Sequence, residues 1–256
     1  MRAGNLFGQT LRDAPADAEI PSHKLLVRGA FIRRVAAGVY AWLPLGHRVL
    51  RNVEQIVREE MDRAGAVELL MSLLQPGDLW QKSGRWDDYG PVLYRLKDRS
   101  ERDFCLAPTH EEMISFLAST ELPSYRDLPK IPYHIQWKFR DEPRPRGGLL
   151  RCREFLMKDA YSFDVDEDGL RVSYKKMEAA YHAAFARCGL SPTQIEADPG
   201  AIGGTVNHEF TQPCASGEDT FVACETSDYA ANTEVASGRP AESYDFGGAP
   251  PAPEKV

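Results

Sequence analysis

Between positions 138 and 153 the chain gathers Lys138, Arg140, Arg144, Arg146, Arg151 and Arg153 against only Asp141 and Glu142. Guanidinium groups at this density suit a polyphosphate, because the planar fork can meet two phosphate oxygens at once. The spacing says how they are presented. Tyr133, Ile135, Trp137 and Phe139 alternate with His134, Gln136, Lys138, Arg140 and Glu142, which predicts a strand with one apolar and one charged face. A loop of Pro143, Arg144, Pro145, Arg146, Gly147 and Gly148 follows. Beyond it Arg151, Arg153, Phe155, Met157, Asp159 and Tyr161 recur at period two and share one face. The expected unit is a hairpin, apolar on one side and carrying arginine and acid on the other.

The rest of the chain must hold that hairpin. With 256 residues, 43% of them hydrophobic, it can bury a substantial core. The formal charge of −7 excludes a globally basic nucleic-acid binder, and the net negative charge lies from Ser191 onward, where eleven acidic residues face two basic ones. Any RNA contact must therefore come from local arginine clusters. The five cysteines are scattered without a C-x-x-C pair, which reads as reduced thiols in a cytoplasmic protein. No segment has the length and apolarity of a signal peptide or membrane span, so neither membrane nor DNA is expected as a partner.

Residues 1–20 are polar and turn-rich. Residues 21–45 predict an apolar helical segment and then an aromatic turn ending at Pro44. An amphipathic helix over 46–64 carries Val49, Leu50, Val53, Ile56, Val57, Met61 and Ala64 on one stripe, with Gly65 at its end. Residues 66–75 read as one buried strand stopped by Pro76. A short strand is expected at 104–108. Thr109 and Glu112 then have capping-box spacing at the start of a helix through Met113, Ile114, Phe116 and Leu117. A second amphipathic helix spans 167–188, with Leu170, Tyr174, Met177, Tyr181, Ala184, Phe185 and Cys188 on its stripe and Gly189 closing it. Strands around 194–197, 208–212 and 220–224 complete the ordered part. The class is α+β with a mainly antiparallel sheet.

At these residues the chain resembles class II aminoacyl-tRNA synthetases, and among them the bacterial-type prolyl family. Residues 46–76 resemble the first class motif. Phe139-Arg140-Asp141-Glu142, the arginine loop and Arg153-Glu154-Phe155 resemble the second. Residues 22–46, 107–112 (APTHEE), 153–163 (REFLMKDAYSF) and the stretch from Gly203-Gly204 to His208-Glu209-Phe210 carry the resemblance to the prolyl family. It implies a class II synthetase-like antiparallel sheet flanked by helices, incomplete at the C-terminal end. Residues 1–236 are then the front part of the catalytic domain, and 237–256 a linker or the start of an inserted editing domain. A third class motif and an anticodon-binding domain are expected beyond this segment.

The implied activity is that of a proline–tRNA ligase, an enzyme that makes prolyl-adenylate from proline and ATP and passes the prolyl group to tRNA(Pro). Magnesium arrives with ATP. Two anions must meet, so the chemistry needs charge neutralisation and alignment more than proton transfer. The resemblance places Arg140 between the substrate carboxylate and the α-phosphate, and Arg151 toward the terminal phosphates. Phe155 stacks on adenine, Glu142 accepts from its amino group, and Arg144 and Arg146 approach the tRNA acceptor end. Thr109 and Glu111 match the proline-binding loop. Met157 and Asp159, on the face of Phe155, supply an apolar wall and an acid, and His208 matches a position lining the same pocket, where Gly203 and Gly204 allow close backbone approach. Thr109 has a second reading as a helix cap, and Met157 as core filling. A homodimer through residues 46–76 is also implied.

No protein-bound metal is expected. His110-Glu111-Glu112 lacks the second histidine of a zinc-protease helix, and His208, Cys214 and Cys224 do not have zinc-knuckle spacing. Two other readings compete: a threonine or serine sister synthetase, and a non-catalytic synthetase-like module that binds ligand or dimerises.

Overall fold

A computed structural model describes residues 3–200 and 203–238. The chain divides into two compact units, 1–188 and 189–256.

The first unit opens with turns and helix α1, Pro21–Arg28. In place of the expected aromatic turn comes a β-hairpin, β1 (Ile32–Ala36) with β2 (Val39–Trp42), in which Ile32 faces Trp42. Its alternation is masked in the sequence by Arg33 and Arg34 side by side. Helix α2, Pro44–Arg63, starts on a proline, whose missing N–H has no helical acceptor there anyway. Gly46 lies against the backbone of Phe31: a Cβ there would sit 2.1 Å from the Phe31 carbonyl oxygen.

The predicted stripe of α2 is buried only toward its C-terminal end. Met61 is fully buried and Val57 and Ala64 pack beside it, whereas Val49 and Val53 are exposed. Residues 66–75 are not one buried strand. They form two short ones in different sheets, β3 (Val67–Glu68) parallel to the later strand Pro132–Phe139 and β4 (Leu74–Pro76) antiparallel to Asp103–Leu106, and Val67, Leu70 and Leu74 are exposed. An unbroken apolar run hides a change of sheet, because periodicity carries no mark where a chain bends between partners.

Helices α3 (Gly77–Ser83) and α4 (Arg85–Asp88) precede β5 (Arg95–Lys97) and β6 (Asp103–Leu106), which form a sheet of order β4-β6-β5. Trp80, Leu93 and Cys105 make its core, with Trp86 and Tyr89 alongside. Helix α5 covers Glu111–Glu121. The expected hairpin follows as β7 (Pro132–Phe139) and β8 (Glu154–Ala160), antiparallel, with β3 on the far edge of β7. Helix α6, Glu167–Arg187, is capped by Asp166, whose carboxylate accepts from the Gly169 amide at 2.9 Å.

One face of the hairpin is core: Tyr133, Ile135 and Ala160 pack with Met61 of α2, Ile131, and Ala180 and Met177 of α6. Burying side chains of this size stabilises by about 1.5–3 kcal/mol each, and the Tyr133 hydroxyl donates to Asp62 at 2.6 Å. The predicted stripe of α6 faces inward only in part, with Met177 and Tyr181 packed against the core. Ser173, Ala180 and Ala184 are buried, while Leu170, Tyr174 and Cys188 are exposed. Small residues fit closest to the sheet, and Ser173 donates its hydroxyl proton to Asp164 at 2.7 Å.

The second unit is a mixed sheet of order β10-β9-β12-β11, from β9 (Thr193–Glu196), β10 (His208–Thr211), β11 (Phe221–Ala223) and β12 (Ala230–Asn232). Strand β12 carries no β-branched or aromatic residue and leaves no sequence signal. A Cβ on Gly203 or Gly204 would meet nothing within 4 Å, so neither serves a close approach within this fold. Of the expected linker, residues 239–256 lie outside the described residues. No helix among the described residues is long and apolar enough to cross a membrane.

Candidate active site

The face of the hairpin opposite the core carries the candidate chemistry. The register sets Lys138 beside Phe155, Gln136 beside Met157 and His134 beside Asp159. Pairing continues past the strand ends, as Arg140 donates its backbone N–H to the Arg153 carbonyl at 2.9 Å. The Arg140 guanidinium donates from Nε and Nη2 to the Pro108 carbonyl, at 3.3 and 3.2 Å, and its Cζ stands 5.4 Å from the centroid of the Phe155 ring. Arg140 therefore joins the hairpin to the segment before α5. Glu142 pairs with Arg151 Nε at 3.0 Å and accepts the Arg144 amide at 3.2 Å. Burial raises the Glu142 pKa, but these partners outweigh it and hold the carboxyl below its ordinary value. Arg144, Arg146 and Arg151 are exposed, and a backbone bridge from Arg146 to Arg151 closes the loop. The loop's base is anchored by Arg153, whose amide donates to Gly38 O at 2.8 Å and whose Nη1 donates to Ala37 O at 3.2 Å.

The segment before α5 differs from its predicted form. His110, not Thr109, is the residue that precedes the helix, and no side chain caps it. The Thr109 hydroxyl donates to Glu111 instead. Glu112 is buried away from the capping position, accepting from Ser83 Oγ and Arg85 Nη1, both at 2.9 Å. Arg85 also reaches Glu111 at 3.5 Å. Strong partners within the fold outcompete the local cap. Buried Gln75 takes Trp80 Nε1 at 2.7 Å and gives its own amide proton to the Thr109 carbonyl at 3.2 Å.

Residues 94–239 match the family model described as tRNA synthetase class II core domain (G, H, P, S and T). The chain belongs to this family. It is 60% identical over 240 residues to a proline–tRNA ligase of Acidithiobacillus ferrooxidans, covering 94% of this chain and 42% of that protein. It is 56% identical over 236 residues to one from Caldicellulosiruptor bescii, covering 92% and 41%. The chain thus spans less than half the length of these curated relatives. Among solved structures, the Giardia lamblia prolyl-tRNA synthetase in complex with prolyl-adenylate shares the fold with a TM-score of 0.61 at 18% identity, over 65% of this chain and 35% of that one. The Cryptosporidium parvum prolyl-tRNA synthetase complexed with L-proline and AMP does so with a TM-score of 0.66 at 13% identity, over 78% and 42%.

Within this class II core, Arg140, Glu142, Arg151 and Phe155 come together on the hairpin, and Thr109 and Glu111 adjoin them through Pro108. Met157 is half-buried on the same face. His208 opens β10 in the second unit, opposite Glu196. Asp159 sits in a buried set that sequence reasoning missed. Its carboxylate lies 3.0 Å from His134 Nε2 and 2.9 Å from Lys138 Nζ, and accepts the Tyr161 hydroxyl proton at 2.5 Å. Burial raises the Asp159 pKa, yet these partners prevail and hold it at about 2. Burial, then the Lys138 charge, depresses His110 to about 3. His110, His134 and Asp159 offer donor atoms within 4.8 Å of one another, a grouping the motif search did not reach because the three residues are scattered in sequence. The available signal was the strand face that His134 and Lys138 share.

Proposed function

We propose that the chain forms the front part of a proline-activating site in an ATP-dependent proline–tRNA ligase. The observation that carries this reading is the bond from Arg140 to Pro108, which seats the Thr109–Glu111 acceptors beside an arginine stacked near Phe155. The names of the relatives and the ligands of the solved neighbours support it.

A carboxylate oxygen of proline attacks the α-phosphorus of ATP, the new P–O bond forms, and pyrophosphate leaves with its Mg2+. Arg140 offsets the charge of both anions, while Arg151 and Glu142 orient the phosphates and the adenine. Thr109 and Glu111 accept from the cationic secondary amine, with Met157 as wall and Asp159 completing the pocket. A terminal tRNA(Pro) hydroxyl then attacks the prolyl carbonyl and AMP leaves. Arg144 and Arg146 steer the acceptor end. Residues 1–236 serve as the front of the catalytic domain, and the enzyme works in the cytoplasm. Exposed Val49, Val53, Val67, Leu70 and Leu74 support a homodimer built through residues 46–76.

The test is calorimetric binding of non-hydrolysable adenylate analogues to the 256-residue chain. The prolyl analogue should bind at least about a hundredfold more tightly than the threonyl or seryl one, the discrimination expected where a site bonds a specific N–H group. Equal affinities, or no binding of the prolyl analogue, reject the reading.

A further inference from the structure

We propose that Lys138 is an internal cation standing where a metal ion would otherwise sit, and that it is a positioning residue for the loop bearing Thr109 and Glu111. Lys138 is fully buried. A buried ammonium persists only when paired and hydrogen-bonded. Its Nζ is 2.9 Å from Asp159 Oδ1 and 3.0 Å from His134 Nε2, two of the three groups whose arrangement matches a metal site. A divalent ion there would stand against this ammonium, whereas Lys138 and Asp159 already balance charge for charge.

The consequence runs through Tyr161. Its hydroxyl donates to Asp159 Oδ2 at 2.5 Å and accepts the backbone N–H of His110 at 3.2 Å. His110 lies between Thr109 and Glu111. Its Nε2 is 3.0 Å from the Ser72 carbonyl oxygen, which fixes the ring from the other side. Two cations two residues apart, Lys138 on β7 and Arg140 just past its end, therefore hold the same loop: Arg140 at Pro108 directly, and Lys138 at His110 through Asp159 and Tyr161. Glu111 and Arg140 are the other charged groups that act on Lys138.

The experiment compares Lys138→Met, Asp159→Asn and the double variant in the 256-residue chain by amide hydrogen exchange. Lys138→Met should speed exchange at 109–111 by at least about tenfold, with the β5–β6 amides unchanged, as expected of a local opening. The double variant, which removes both charges and keeps an acceptor for Tyr161, should return to within about threefold of wild type. Unchanged exchange at 109–111, or equal acceleration in β5–β6, overturns the proposal. Should the single variant not fold, the double variant decides: a protected loop supports the proposal, and an open or unfolded one overturns it.

A substrate arm rests on the proposed proline-activating role. By calorimetry, Lys138→Met should weaken L-proline binding by at least about tenfold and ATP binding by less than about twofold, and equal losses overturn the positioning role. If wild type binds no proline, that functional reading falls, and exchange alone decides the present one. Zinc retained at one equivalent by wild type through dialysis and lost from His134→Ala would overturn the internal cation.

Discussion

Arg140 gives two of its N–H groups to a backbone carbonyl, so its fork is oriented by the protein itself. A lysine keeps the charge and loses that geometry. On the proposed reading, Arg140→Lys is expected to lower proline-dependent pyrophosphate exchange by about 10²–10³-fold, the usual effect of removing one preorganised charge-stabilising group. Neighbouring Glu111 and Glu112 should separate cleanly. Glu112 is buried on Arg85 and Ser83, so Glu112→Gln should cost about 3 kcal/mol in urea unfolding, whereas Glu111→Gln should cost under about 1 kcal/mol and act on proline binding instead. Much of the candidate site was legible because strand alternation alone puts Arg140, Phe155, Met157 and Asp159 on one face. Period-two logic also put Lys138 and His134 there, but alternation does not tell a buried ammonium from a solvated one. The capping-box spacing of Thr109 and Glu112 misleads because it cannot rank a local cap against Ser83 and Arg85, which hold Glu112.

Gly46 of helix α2 lies tight against the backbone of Phe31, the residue before β1. Gly46→Ala would place a methyl 2.1 Å from the Phe31 carbonyl oxygen, so backbone must shift. The expected loss is about 1–3 kcal/mol, read as a lower urea midpoint with an unchanged slope. The long helices α2 and α6 and the β7–β8 hairpin were legible, since each repeats its period many times. Among the shorter elements β6, β9, β10 and β11 fall where expected, but others do not. The β1–β2 hairpin was taken into a helix-like run, residues 66–75 split between two sheets, and β12 was missed outright. The stripe on α6 holds at Met177, Tyr181 and Ala184 and fails at Leu170, Tyr174 and Cys188, because close packing on the sheet favours the smaller Ser173 and Ala180.

For the molecule as a whole, buried histidine sets the acid limb of stability. The folded value for His110, about 3, lies below the roughly 6.5 of an unfolded histidine, so the unfolded chain binds a proton that the native state refuses. This contribution is complete above about pH 6.5 and declines as pH falls toward 3. Asp159, held at about 2, adds a loss that begins below the ordinary carboxylate value near 3.9. Between pH 6.5 and 5 the wild type should lose about 1 kcal/mol or more per pH unit, and His110→Asn should flatten that slope in urea titrations at successive pH values. A different coupling follows from Arg153, which rests on the turn at Ala37 and Gly38 while its carbonyl receives the amide of Arg140. That turn is a bracket from outside the hairpin. Shortening the amino-terminal region past residue 38 would remove two struts from beneath the arginine loop, so trimming there should weaken the nucleotide binding proposed for it.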